Sequence, residues 1–378
     1  MTRGSAVVVA AVLLSGLVSG RAEAQQIEIR VVVPKETVEV VRQAIAAIER
    51  SITQTIDRRV WVDLSREITS AVREGFGGVS AVWQDRNFTH EQTDKQTHTL
   101  QLGASGSLQL KNIAGDVTVL AGRGQATTVE VTRRSRGRTD ADAKLGLERV
   151  TVEIDHRGER ATISTRYPDE RRPPYAVTAA YVVTAPAGTS LTIATLSGDV
   201  QVKDIKGDVS IDVASGDITT TNSQVSSAKA LSGDVSVADV QSSGRIDLST
   251  LSGTITLLRV KARRLGTSTV SGDITARDID ANDVDMGTHS GDVEFSGGLA
   301  KTGRYELRSH SGSVSVIVPS DGFDLTARSF SGTITANPSL GLRTSETTRS
   351  SLRGTVGAGG AALAVTTFSG DIWILRKK

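Results

Sequence analysis

From residue 187 onward, apolar residues fall on every second position in short runs and then change parity. In TLSGDVQVKDIKGDVSIDVASGDITT (Thr195 to Thr220), Val200 and Val202 alternate with Gln201 and Lys203. Val209, Ile211 and Val213 alternate in the same way before the next Ser-Gly. A period of two predicts strands with one face inward. A parity switch at Ser-Gly predicts a corner, because side chains on both sides of a bend must still point into one interior. Glycine supplies the positive φ that a corner requires, and Ser and Asp bond nearby backbone groups.

The corner recurs. Nine tetrapeptides read Ser-Gly-[Asp/Thr/Ser]-[Val/Ile], with glycines Gly198, Gly216, Gly233, Gly253, Gly272, Gly291, Gly312, Gly332 and Gly370. Their spacings are 18, 17, 20, 19, 19, 21, 20 and 38, and the last gap holds a degraded copy, LRGTV, around Gly354. A period near 19 is the mark of a solenoid. Two positions after each Gly stands a β-branched residue: Val200, Ile218, Val235, Ile255, Ile274, Val293, Val314, Ile334 and Ile372. These favour strand over helix. A second, weaker corner is expected at Gly207, Gly244 and Gly303, giving two strands and two bends per coil. No coil can bury its apolar face alone, so successive coils should stack with parallel strand pairing and close one core. Some ten coils at about 4.8 Å each would span roughly 50 Å. The fold class is therefore mainly β, a parallel β-solenoid with coils of about 19 residues, preceded by an amphipathic helical segment. The leucine-rich and calcium-binding nonapeptide solenoids are excluded, since neither L-x-x-L-x-L with its Asn nor G-G-x-G-x-D occurs.

Residues 1–24 read as a signal peptide: Arg3, an apolar run from Ala6 to Val18, and Ala22-Glu23-Ala24, with cleavage expected after Ala24. The run is short for a membrane span of about 20 residues. Residues 25–82 contain a short strand and an amphipathic stripe, Val38, Val41, Ile45, Ile48, Ile52 and Ile56, then Val60, Leu64, Ile68 and Val72. That stripe packs on the body of the chain or mediates self-association or membrane-surface contact. Residues 83–99 read as a polar linker. Residues 100–186 form a β portion with longer strands and a short helix in TDADAKLGLERV, and 187–378 form the regular coils.

Composition narrows the chemistry. Net charge is +2, and the basic cluster Arg133, Arg134, Arg136 and Arg138 is nearly balanced by acidic neighbours. A solvated face is expected there, not a nucleic-acid site. Cys is absent, which removes disulfides, thiol catalysis and Cys-based zinc sites. Aromatics are only 3% of the chain.

The organisation resembles a bacterial family, domain of unknown function 4097, labelled "putative adhesin" with β-strand repeats. The resemblance rests on a leader strand and Gly-Asp-Val coil (Leu108 to Leu120), a pair of long strands with a short helix, then VVTAPAGTSLTIATLSGDVQV and the serial Ser-Gly-Asp coils. It covers about Thr97 to Lys378 and leaves Glu36 to Glu74 outside the family pattern. It implies an exported, envelope-associated β-solenoid with no established chemistry, some relatives being linked to envelope stress responses.

Two clusters are candidate sites. Asp199, Asp217 and Asp234 follow consecutive corner glycines, and Asp273 and Asp292 form a further pair. Carboxylates about 5 Å apart repel unless a cation lies between them, so a Ca²⁺ ladder is one reading. Capping of the turn is the preferred one, since Thr254, Ser313 and Thr333 take the same place. His289 and His310 stand two residues before Gly, where other coils carry Leu196, Leu231, Leu251, Val270, Phe330 and Phe368. Stacked coils would stack the imidazoles, but two nitrogens make a weak metal site. Polar replacement at a corner is preferred there. No cofactor is indicated.

Three function classes remain. The first is a non-enzymatic binding or structural protein of the envelope, extracytoplasmic, with an unidentified envelope or cell-wall partner. The second is an envelope-stress sensor acting through its helix. The third is a carbohydrate-active β-helix enzyme, disfavoured because coils of 17 to 21 residues leave no room for long loops and Trp373 is the only Trp in the repeats.

Overall fold

The computed structural model describes residues 88–168, 173–319 and 322–377. Every described residue belongs to one compact unit, Thr53–Lys378. The leader, its cleavage point and the amphipathic segment lie outside the described residues.

Those residues form a stack of coils closed at both ends by antiparallel strands. The N-terminal part comprises β1 (His90–Gln101), β2 (Ser107–Ala114), β3 (Val117–Gly122), β4 (Ala126–Gly137), α1 (Asp140–Arg149), β5 (Thr151–Arg157), β6 (Arg160–Arg166) and β7 (Tyr175–Pro186). The regular coils follow, beginning with β8 (Ser190–Ser197) and β9 (Val200–Lys203). From there the rungs pair in parallel as far as the antiparallel cap, with register shifts at Val209/Ser210, Ala276/Ile279 and Ala281/Asp283. Val200, Ile218, Val235, Ile255, Ile274 and Val293 form one unbroken column. These side chains are buried in a single core with Leu248, Leu257, Phe295 and Leu307. The expected solenoid core is thus present, and Val and Ile fill it because a branched side chain fits the pleated wall.

Five coils carry a corner that the sequence does not predict. In Ile255–Ser271 the pairing runs over Ile255–Leu258, Val260–Ala262 and Arg264–Ser271, passing over Arg259 and Arg263. The extra corner is made by Asp204, Asn222, Asp239, Arg259 and Asp278, all with φ between 50° and 63°. Asn and Asp tolerate this left-handed conformation because their short side chains bond locally. Here they also bond along the stack. Asn222 donates to Asp204 Oδ1 at 2.5 Å, and Arg259 clasps both carboxylate oxygens of Asp239 at 2.6 and 2.8 Å. Gly207, Gly244 and Gly303, expected at the second corner, do not have positive φ. Close packing accounts for two of them: a Cβ on Gly207 would stand 2.2 Å from the Thr189 carbonyl oxygen, and one on Gly303 2.5 Å from that of Asn282.

The polar linker is corrected as well. Residues 90–101 form β1, antiparallel to β4 over its whole length. Polar residues on both faces disguise it, because the charges meet partners on β4: Lys95 with Glu130, Glu91 with Arg134 and Arg136, and Asp94 with Arg133. Arg133 departs from the solvated basic face. It is buried under α1, donating to the carbonyls of Leu147 at 2.9 Å and Val150 at 2.6 Å.

Chain order and stack order differ at both ends. The β2–β3 coil is seated between β6 and β7 on one side and β8 and β9 on the other. At the far end Ala361–Ser369 and Ile372–Arg376 lie between Val293–Val318 and the earlier-made Phe323–Ala336. The expected degraded coil at Gly354 is not a rung. Ser351–Val356 runs antiparallel to both Phe323–Ser331 and Arg343–Thr347 and caps the stack. A lone Gly-Thr-Val lacks the Ser-Gly corner that would turn it into the coil.

Candidate functional site

The corner glycines bring successive backbones into contact. A Cβ on Gly233 would lie 2.0 Å from the Gly216 carbonyl oxygen, and one on Gly312 2.0 Å from that of Gly291. Gly233 also has φ +139°. Both space and dihedral exclude other residues there.

The aspartates that follow serve this corner. Asp199 N–H donates to Asp116 Oδ1 at 3.0 Å, Asp217 N–H to Asp199 Oδ1 at 2.9 Å and Asp234 N–H to Asp217 Oδ1 at 2.8 Å. Thr254 N–H then takes Asp234 Oδ1 at 2.7 Å, and the pattern resumes from Asp292 N–H to Asp273 at 2.8 Å and Ser313 N–H to Asp292 at 2.7 Å. Each carboxylate accepts an N–H that the ladder leaves over at the bend. Asp371 titrates below the ordinary carboxylate range because the Thr333 N–H and then its hydroxyl donate to it. Among the described residues no three His, Asp or Glu side chains gather as a metal site. The geometry gives the column an inter-coil capping role.

A second ladder escaped the sequence reading. Three residues before the corner, Thr250, Thr269, Thr288 and Ser309 donate their hydroxyls to the carbonyls of Gly233, Gly253, Gly272 and Gly291, at 2.8–3.2 Å. Thr367 and Ser329 continue it to Gly312 and Gly370. The run of Thr and Ser at one repeat position was the available signal.

The His pair is stacked as expected. His289 and His310 lie with centroids 4.6 Å apart and planes within 5°. Phe368 continues the stack on His310 at 4.9 Å, and Phe330 on Phe368 at 4.7 Å. Parallel rings direct their nitrogen lone pairs side by side, in planes that do not converge on a shared ion. This geometry disfavours joint ligation. Burial, then the neighbouring His310, lowers the His289 pKa. The column faces outward, and its last rings stand clear of the body: Phe368 is 48% and Phe330 75% exposed. Trp373, on the same tier as Phe368 beyond the corner, is 37% exposed. Sequence analysis placed Phe330 and Phe368 in the corner column but did not single them out as a surface, because a Phe in a repeat reads as core.

A family model described as Toastrack DUF4097 matches residues 25–264 and, in a second overlapping match, 106–375. The first match reaches across the segment expected to lie outside the family pattern. No curated protein matches the chain significantly. Three solved structures illustrate what the chain is similar to. A "putative lipid binding protein" from Parabacteroides distasonis shares 11% identity, with 75% of this chain and 97% of that one covered and a TM-score of 0.42. A "putative adhesin" from Bacteroides fragilis gives 10%, the same coverages and 0.36. Another from Parabacteroides distasonis gives 13%, 74% and 97%, and 0.35.

Proposed function

This chain belongs to the Toastrack family, and we propose that it is an exported cell-envelope protein of adhesin type, binding or scaffolding through the outer surface of its solenoid and not by catalysis. The observation that carries this reading is the exposed aromatic column. Phe330, Phe368 and Trp373 are three of the five exposed large hydrophobics among the described residues, and all three lie on two adjacent tiers. Phe330 and Phe368 stack on one another at 4.7 Å, and exposed aromatics of this kind mark interaction surfaces. The corner aspartates Asp199, Asp217 and Asp234 accept backbone N–H groups, and the hydroxyls of Thr250, Thr269 and Thr288 donate to glycine carbonyls, which fits a structural use of these columns. The leader sequence supports export.

The test is a panel of esterase, peptidase and polysaccharide substrates offered to the purified protein and to a His289→Ala, His310→Ala double variant. The expected result is no turnover by either. Turnover by the parent that vanishes in the double variant would overturn the reading.

A further inference from the structure

We propose that the tier between the Val314 and Ile334 rungs is a strand-acceptor slot, and that the coil Ala361–Arg376 of a second copy of this chain can fill it in place of the chain's own.

The slot is defined by bonds on both sides. Below the coil, the N–H groups of Gly312 and Val314 donate to the carbonyls of Ser369 and Asp371, each at 2.9 Å. Above it, Gly370 and Ile372 donate to the carbonyls of Ser331 and Thr333 at 3.0 and 2.9 Å. The side-chain ladders cross it too, Thr367 bonding Gly312 and Ser329 bonding Gly370. The rings of His310, Phe368 and Phe330 stack through it. The inserted coil is thus a complete rung, paired on both edges.

Chain order sets the occupant apart from its neighbours. Phe323–Ala336, which covers the slot, precedes the occupant in the sequence, so both neighbours of the coil belong to one stretch, residues 293–336, that the coil enters from outside. The repeat then removes selectivity for the chain's own coil. The slot recognises a corner glycine, an inward β-branched residue two places on, and backbone ladder groups, all of which a second copy presents identically. The link into the coil is suited to exchange. Gly357, Gly359 and Gly360 stand just before it at φ +58°, +76° and +138°, and glycines change dihedrals with little steric hindrance. Exchange of an identical element through a hinge is a low-cost route to dimers.

The absence of Cys from the chain permits a direct test. Arg304 and Ala362 are register partners across the lower edge of the slot, and both are exposed. An Arg304→Cys, Ala362→Cys double variant treated with a short bismaleimide should lock internally. An Arg304→Cys chain mixed with an Ala362→Cys chain, concentrated and warmed below the melt before treatment, should give cross-linked heterodimer several-fold in excess of either homodimer. Internal locking without that excess would overturn the proposal. Failure of the double variant to lock would overturn it too, since the coil would not occupy the slot.

Discussion

His310 lies flat against Phe368, ring planes within 7°, although the cap hairpin and the whole Phe323 rung separate them in sequence. The contact fixes which tiers are neighbours.

Lowering the pH should destabilise the protein through His289. Burial and then His310 hold the folded His289 pKa below its ordinary 6.5, so the unfolded chain binds the proton more readily. Between the lowered value and about 6.5 the unfolded state carries more protons, and stability rises with pH there. The contribution is complete above about 6.5 and is lost as pH falls below it. Thermal melts at pH 7.5 and 5.5 should show a drop that is reduced in His289→Leu, the residue type other coils carry. An unchanged slope in the variant would show that His289 does not contribute.

Corner glycines should matter more than the aspartates beside them. Gly233→Val puts a Cβ against the Gly216 carbonyl at a positive φ, and the dihedral strain alone costs about 1–3 kcal/mol. A melt within error of the parent would contradict the close approach.

Asp234→Asn keeps an oxygen for the Thr254 N–H and should be nearly neutral, while Asp234→Ala should lose about 0.5–1.5 kcal/mol. Adding calcium should shift neither melt. A large loss in Asp234→Asn, rescued by calcium, would restore the cation ladder.

Thr288→Val keeps shape but removes the donor to the Gly272 carbonyl at 2.9 Å. Denaturant titration should show a loss of about 1 kcal/mol. No loss would mean that the hydroxyl ladder is incidental.

The solenoid was legible because its corners admit one residue type: only glycine fits where Gly216 and Gly233 touch. The left-handed corner at Asp204, Asn222 and Asp239 was not, since Asp and Asn are common in every turn and Arg259 gives no signal at all. Strand β1 was hidden because its charges are paired across to β4 instead of following an inside–outside alternation. The displaced last coil was invisible for a different reason. Every rung carries the same motif, so sequence states that rungs stack but not in which order. The same repetition masked the candidate surface, where Phe330 occupies a position that Leu231 and Leu251 hold elsewhere.

The proposed function rests on binding through the exposed aromatics Phe330, Phe368 and Trp373. Its most direct test is co-sedimentation of the purified protein with insoluble cell-wall polymer, comparing the parent with a Phe330→Ser, Phe368→Ser, Trp373→Ser variant. All three side chains are exposed, so the variant should melt within a few degrees of the parent. The parent should pellet with the polymer, and the variant should stay in the supernatant at least tenfold more. Equal pelleting of the two, or no pelleting of either, would contradict it.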